Sequence, residues 1–186
     1  DPIKGSPLKY HTEALTEKIS QLTNMPVTYA MRYQNPSIKH SIQALLDKNK
    51  NINNLIIIPL FPQYSEAASG SAIAKAEQVI SKHFPEIKSY KIIKEFYNHP
   101  AFINSLSDLL IKQINNLDFK PDYYIFSYHG LPEKQLESKT LDNHCKNLCS
   151  RKSACPEISD TNKNKNCYRA QCYATTELLY KKLHAK

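Results

Sequence analysis

The chain predicts an α/β fold built on parallel sheets with crossover helices. Three observations carry that expectation. Helical and extended patterns alternate along the sequence. The apolar run Leu55–Leu60 is continuous rather than alternating, as in a strand covered on both faces. The strand-like runs also end in loops of polar and aromatic residues, and in open α/β sheets the carboxyl edge is where ligands bind.

Ser6-Pro7 opens a first helix with Leu8, Leu15, Ile19 and Leu22 on its apolar face, and Asn24 and Pro26 close it. Val27–Met31 reads as a short strand. Asn35-Pro36 opens a second helix, with Ile38, Ile42, Leu45 and Leu46 in register. The strand Leu55–Leu60 follows, then the loop Phe61–Ser65 and a helix from about Gly70 to His83. Tyr90–Ile93 reads as another strand and Pro100–Leu117 as a long helix. Tyr123–Phe126 reads as a buried strand, broken at once by Gly130 and Pro132, so His129 falls on the loop beyond its end. The segment Glu86–Glu95 is the natural place to divide the chain into two lobes.

Composition excludes several classes. With 41% hydrophobic residues, 12 tyrosines and 6 phenylalanines the chain can fill a core. Its 3 glycines, Gly5, Gly70 and Gly130, make no phosphate-cradling loop, which argues against dinucleotide or P-loop chemistry. The net charge of +8 is most simply a lysine-rich solvated surface; attraction to acidic ligands or to an anionic membrane face comes next, and nucleic acid is not expected. No run reaches the ~18 apolar residues of a spanning helix, and the N-terminus does not read as a signal peptide. A cytoplasmic protein with at most peripheral membrane contact is expected.

Three loops carry the candidate chemistry: Arg32-Tyr33, Pro59–Ser65 and His129. A surface salt bridge for Arg32, packing roles for Tyr33 and Tyr64, and a structural role for a lone histidine are the plainer readings. If the crossovers have their usual hand, however, all three loops leave one sheet edge. They would line a pocket holding a cation, phenols, hydroxyls and an imidazole, which suits a flat aromatic ligand bearing carboxylates.

Gly5-Ser6-Pro7-Leu8, Arg32-Tyr33, Pro62-Gln63-Tyr64-Ser65, Gly70-Ser71 and above all Ser127-Tyr128-His129-Gly130-Leu131-Pro132 resemble the ferrochelatase family. The resemblance runs from Gly5 to about Thr176 and corresponds to a central portion of the family's length. It implies two similar Rossmann-like lobes, each incomplete in this chain: residues 1–85 in the first, and 86–186 in the second with a Cys-rich insertion at about 138–167. It also implies an enzyme that inserts ferrous iron, as substrate, into protoporphyrin IX. His129 matches the family's histidine, which accepts a pyrrole proton or helps present the metal. Arg32, Tyr33, Phe61, Tyr64 and Ser65 match positions around the porphyrin. Phe61 stands where the family often has tyrosine, and Glu66-Ala67-Ala68 replaces the usual small hydroxyl and thiol cluster. No counterpart is found for the family's opening strand or for the acidic residue facing the histidine.

All 5 cysteines lie in the last quarter, as Cys145-x3-Cys149-x5-Cys155-x11-Cys167-x4-Cys172, and the surrounding segment is too polar to pack by itself. Disulfides are disfavoured by the odd count, zinc by the lack of a short knuckle, and free thiols remain an alternative. Some bacterial members of the resembled family carry a two-iron, two-sulfur cluster. With basic neighbours such as Lys146 and Arg151, a cluster held by Cys145, Cys149, Cys155 and Cys167 is the leading reading. Cys172 is the substitute ligand, or a buried residue of a helix. A porphyrin- or cluster-binding module without catalysis, and a chelatase for cobalt or coproporphyrin, are the competing functions.

Overall fold

The computed structural model describes residues 6–132, 135, 158 and 164–184. Cys145, Cys149 and Cys155 lie outside them. The described residues of Asp1–Ile58 with Ala72–Ile92 form one compact unit, and those of Pro59–Ser71 with Ile93–Lys186 form another.

In the first unit, α1 (Pro7–Thr23) starts behind an extended Ser6 with proline in its first turn. It ends at Asn24, whose left-handed backbone (φ 54°) lets its N–H donate to Ser20 O at 3.0 Å. α2 (Ile38–Lys48) is capped by Ser37, whose hydroxyl accepts the His40 N–H at 3.2 Å. β1 (Asn54–Ile57) and β2 (Ser89–Ile92) pair in parallel, Asn54 opposite Ser89 and Ile57 opposite Ile92. The crossover between them contains α3 (Ser71–His83), as a parallel pair requires. The core gathers Ile42 and Leu46 of α2, Val79 and Ile80 of α3, then Phe84 and Ile87, with Leu55 and Ile57 of β1 packed against them. Burying each large side chain contributes about 1.5–3 kcal/mol.

The α/β class with a parallel sheet holds, but two strands differ from expectation in this unit. Val27–Met31 forms only an isolated bridge, Met31 to Ser37. β1 is covered on one face rather than two: Leu55 and Ile57 face the core, while Ile56 is 62% exposed. A continuous apolar run records that both faces tolerate burial. Packing layers decide which faces receive it, and the helices α2 and α3 supply one layer.

The second unit contains a π-helical turn, Glu66–Gly70, and two helices that pack together, α4 (Pro100–Asn115) and α5 (Tyr168–His184). His99 caps α4 through its ring, which accepts the Ala101 N–H at 3.2 Å, and Pro100 fills the first helical position. Tyr123–Phe126 is not the buried strand expected: it pairs with no strand among the described residues, and Tyr123 and Ile125 are 88% and 92% exposed. Its β-rich composition favours an extended backbone, but a strand exists only through the ladder it shares with a neighbour. No helix among the described residues is long and apolar enough to cross a membrane.

Candidate active site

Helix α5 organises the candidate site through polar side chains on one face. Tyr168, Gln171, Cys172, Thr175 and Thr176 recur at spacings of three and four, so they line one stripe of the helix. Gln171, Cys172 and Thr175 are buried there.

Two loops are fastened to that stripe. In the first, the backbone N–H of Tyr64 donates to Gln171 Oε1 at 2.7 Å, and Gln63 Nε2 donates to Thr175 Oγ1 at 2.9 Å. The same segment is held from another side by Phe96 N–H to Pro62 O at 2.9 Å. Ser65 is buried, and its hydroxyl caps the π-turn by accepting the Ala68 N–H at 3.2 Å. In the second loop, the Tyr128 hydroxyl pairs with Thr176 Oγ1 at 2.8 Å, and the Tyr168 hydroxyl donates to the His129 carbonyl at 3.1 Å. His129 itself is exposed. A shallow, open depression is lined by both loops, with Tyr64 and Ser65 from one, Leu131 from the other and Tyr168 from α5.

The phenols around this stripe are donors. Burial, then a hydrogen bond to Glu66 at 2.8 Å, pushes Tyr64 up to about 12. Tyr168 is likewise pushed up to about 12, by burial and then by the Cys172 thiol. Burial also raises Tyr128 and Tyr97. All four stay protonated near neutrality, so they offer O–H groups and not phenolate ligands.

Of the residues expected at the site, Tyr64, Ser65 and the His129 backbone come together on α5. Phe61, in the same unit, is partly exposed at the surface. Arg32 and Tyr33 belong to the first unit. There the guanidinium of Arg32 lies 4.5 Å from the centroid of the Tyr33 ring, which is largely exposed. The stabilising partners Gln171, Thr175, Thr176 and Tyr168 were not anticipated. The polar residues repeating at 171 and 175 within a helix are the signal that could have found them.

A model of the family described as Ferrochelatase matches residues 3–186. The chain belongs to the ferrochelatase family. Ferrochelatases of Coxiella burnetii (strain RSA 493 / Nine Mile phase I) and Legionella pneumophila (strain Paris) are 38% and 39% identical to it over 184 and 183 residues. Each alignment covers 97% of this chain and 48% or 50% of the relative. The chain thus spans about half the length of the curated ferrochelatases it matches.

For a resident metal centre, the described residues include no group of three or more His, Cys, Asp or Glu able to hold a metal ion. Two cysteines are described. Cys167 is a buried free thiol at the foot of α5, its N–H donating to Asn164 O at 2.9 Å. Cys172 is also a buried free thiol, pushed up to about 11 by burial, with the Tyr168 hydrogen bond opposing and Cys167 adding to the shift. That chemistry suits a protonated core residue for Cys172.

Proposed function

We propose that the protein inserts ferrous iron into protoporphyrin IX, giving protohaem and releasing two protons. The single observation that carries this is the exposed imidazole loop at His129, tied by Tyr128 and Tyr168 to the helix that also holds the Tyr64 loop. Two pyrrole N–H protons must leave as the metal enters. His129 accepts them in turn and passes them to solvent, as a base within hydrogen-bond reach contributes about 10²–10⁴-fold to such a step. A flat macrocycle directs its lone pairs inward, so binding it bent costs about 1–5 kcal/mol, offset by contacts elsewhere. In the first unit, Arg32, stacked on Tyr33, offers a cationic group suited to a propionate.

Within the same proposal, Cys145, Cys149, Cys155 and Cys167 hold a two-iron, two-sulfur cluster. Support comes from the cysteine-rich polar segment, the buried place of Cys167 and the protonated state of Cys172. A bound cluster would supply a four-thiolate iron centre that orders a segment unable to pack alone. Anaerobically purified protein should show visible absorption bands with iron and acid-labile sulfide. A colourless protein with bound zinc would replace this assignment.

The function is tested by titrating the protein with protoporphyrin IX and then adding ferrous iron under anaerobic conditions. Saturable binding followed by metalation is expected. Binding without metalation would leave a porphyrin-binding module, and preference for coproporphyrin or cobalt would revise the substrate.

A further inference from the structure

We propose that Gln171 is a positioning residue for porphyrin binding: its side-chain amide sets the backbone of the Pro62–Ser65 loop against α5 and so fixes where the Tyr64 phenol stands. The inference rests on the proposed function above and extends it to a residue that contacts no substrate.

Gln171 is fully buried, at 0% exposure. Buried polar side chains are retained only with matched partners, and this one has two of opposite kind. The Tyr64 N–H can only donate, and it meets Oε1 at 2.7 Å. The Lys165 carbonyl can only accept, and it takes the Nε2 proton at 2.8 Å. An amide satisfies both at this length. A carboxylate would set a lone pair against the Lys165 carbonyl, and an aliphatic side chain would remove the partner of both backbone groups.

The pairing reaches across 107 residues of chain, so no local preference holds the loop in its place. The next contact along the helix reinforces it. Thr175 Oγ1 accepts from Gln63 Nε2 at 2.9 Å, and its one proton serves the carbonyl of Gln171 at 3.0 Å or of Tyr97 at 3.1 Å. Two consecutive loop residues are thereby clamped to two consecutive turns of α5. The His129 carbonyl is anchored on the same helix through Tyr168. A loop freed from Gln171 would keep its sequence and lose its register against the histidine loop.

The test compares Gln171→Leu with Ile80→Val, a core truncation in the other unit, in the complete chain. Protoporphyrin IX binding is followed at the Soret band, and amide hydrogen exchange at Tyr64 is measured without ligand. Gln171→Leu should weaken porphyrin binding about tenfold. It should also lose protection at the Tyr64 amide, while helix content is kept. Ile80→Val should bind as the parent does. Thr175→Val provides a second break in the clamp and should weaken binding in the same direction. Parent-like affinity and a still-protected Tyr64 amide in Gln171→Leu would overturn the inference. If the parent protein binds no porphyrin, the proposed function fails instead, and Tyr64 exchange still reports whether Gln171 holds the loop.

Discussion

The Tyr64 hydroxyl and Gly70 show how tightly single residues are set around the π-turn. A Cβ at Gly70 would come within 2.9 Å of Tyr64 Oη and 3.0 Å of Glu66 Oε2, the two atoms that hydrogen-bond each other. Both are ends of flexible side chains, so Gly70→Ala should fold and push the pair apart. Tyr64 should then titrate lower than about 12, and only partway to 10, because burial remains its largest cause. Tyrosinate absorbance on raising pH, with Tyr64→Phe as the reference, checks this, and an unchanged titration would contradict it. His129 was legible from sequence because Gly130 and Pro132 end the extended run on its far side. Gln171 was not, because its partners Tyr64 and Lys165 are backbone groups, one of them distant in sequence, and no periodicity encodes them.

The helix starts were largely legible: Pro7 and Pro100 open α1 and α4 as read, while α2, read as opening at Asn35-Pro36, begins behind the capping hydroxyl of Ser37. The strands were less legible. Tyr123–Phe126 has the composition of a strand without a ladder, and β1 has two apolar faces with one covered. Both depend on neighbours that local pattern does not name. The core between α2, α3 and β1 is the element whose energetics follow most directly from burial. Phe84 is 1% exposed at its centre, so Phe84→Ala should cost about 3–5 kcal/mol, and Ile80→Val only about 0.5–1.5. Urea unfolding followed by circular dichroism measures both. Equal, small losses would mean that this cluster is not the core of its unit.

At the scale of the whole molecule, alkaline stability should reflect the raised phenols. Burial holds the Tyr64 and Tyr168 phenols up at about 12, above their ordinary value of 10.0, so the folded chain holds more protons between those values. Their contribution is complete below about pH 10 and is lost as pH rises towards about 12. The melting temperature should fall across that window, with a shallower slope in Tyr64→Phe and Tyr168→Phe; a slope identical in all three would contradict the burial of these phenols. The loop bearing His129 and the loop bearing Tyr64 are joined on α5, and we propose that they form a metal-inserting site. Its most direct measurement is the anaerobic rate of iron insertion into protoporphyrin IX by the parent chain and by His129→Ala. The variant should still bind the porphyrin and lose at least about a hundredfold in rate. Metalation at the parent rate in His129→Ala would contradict it.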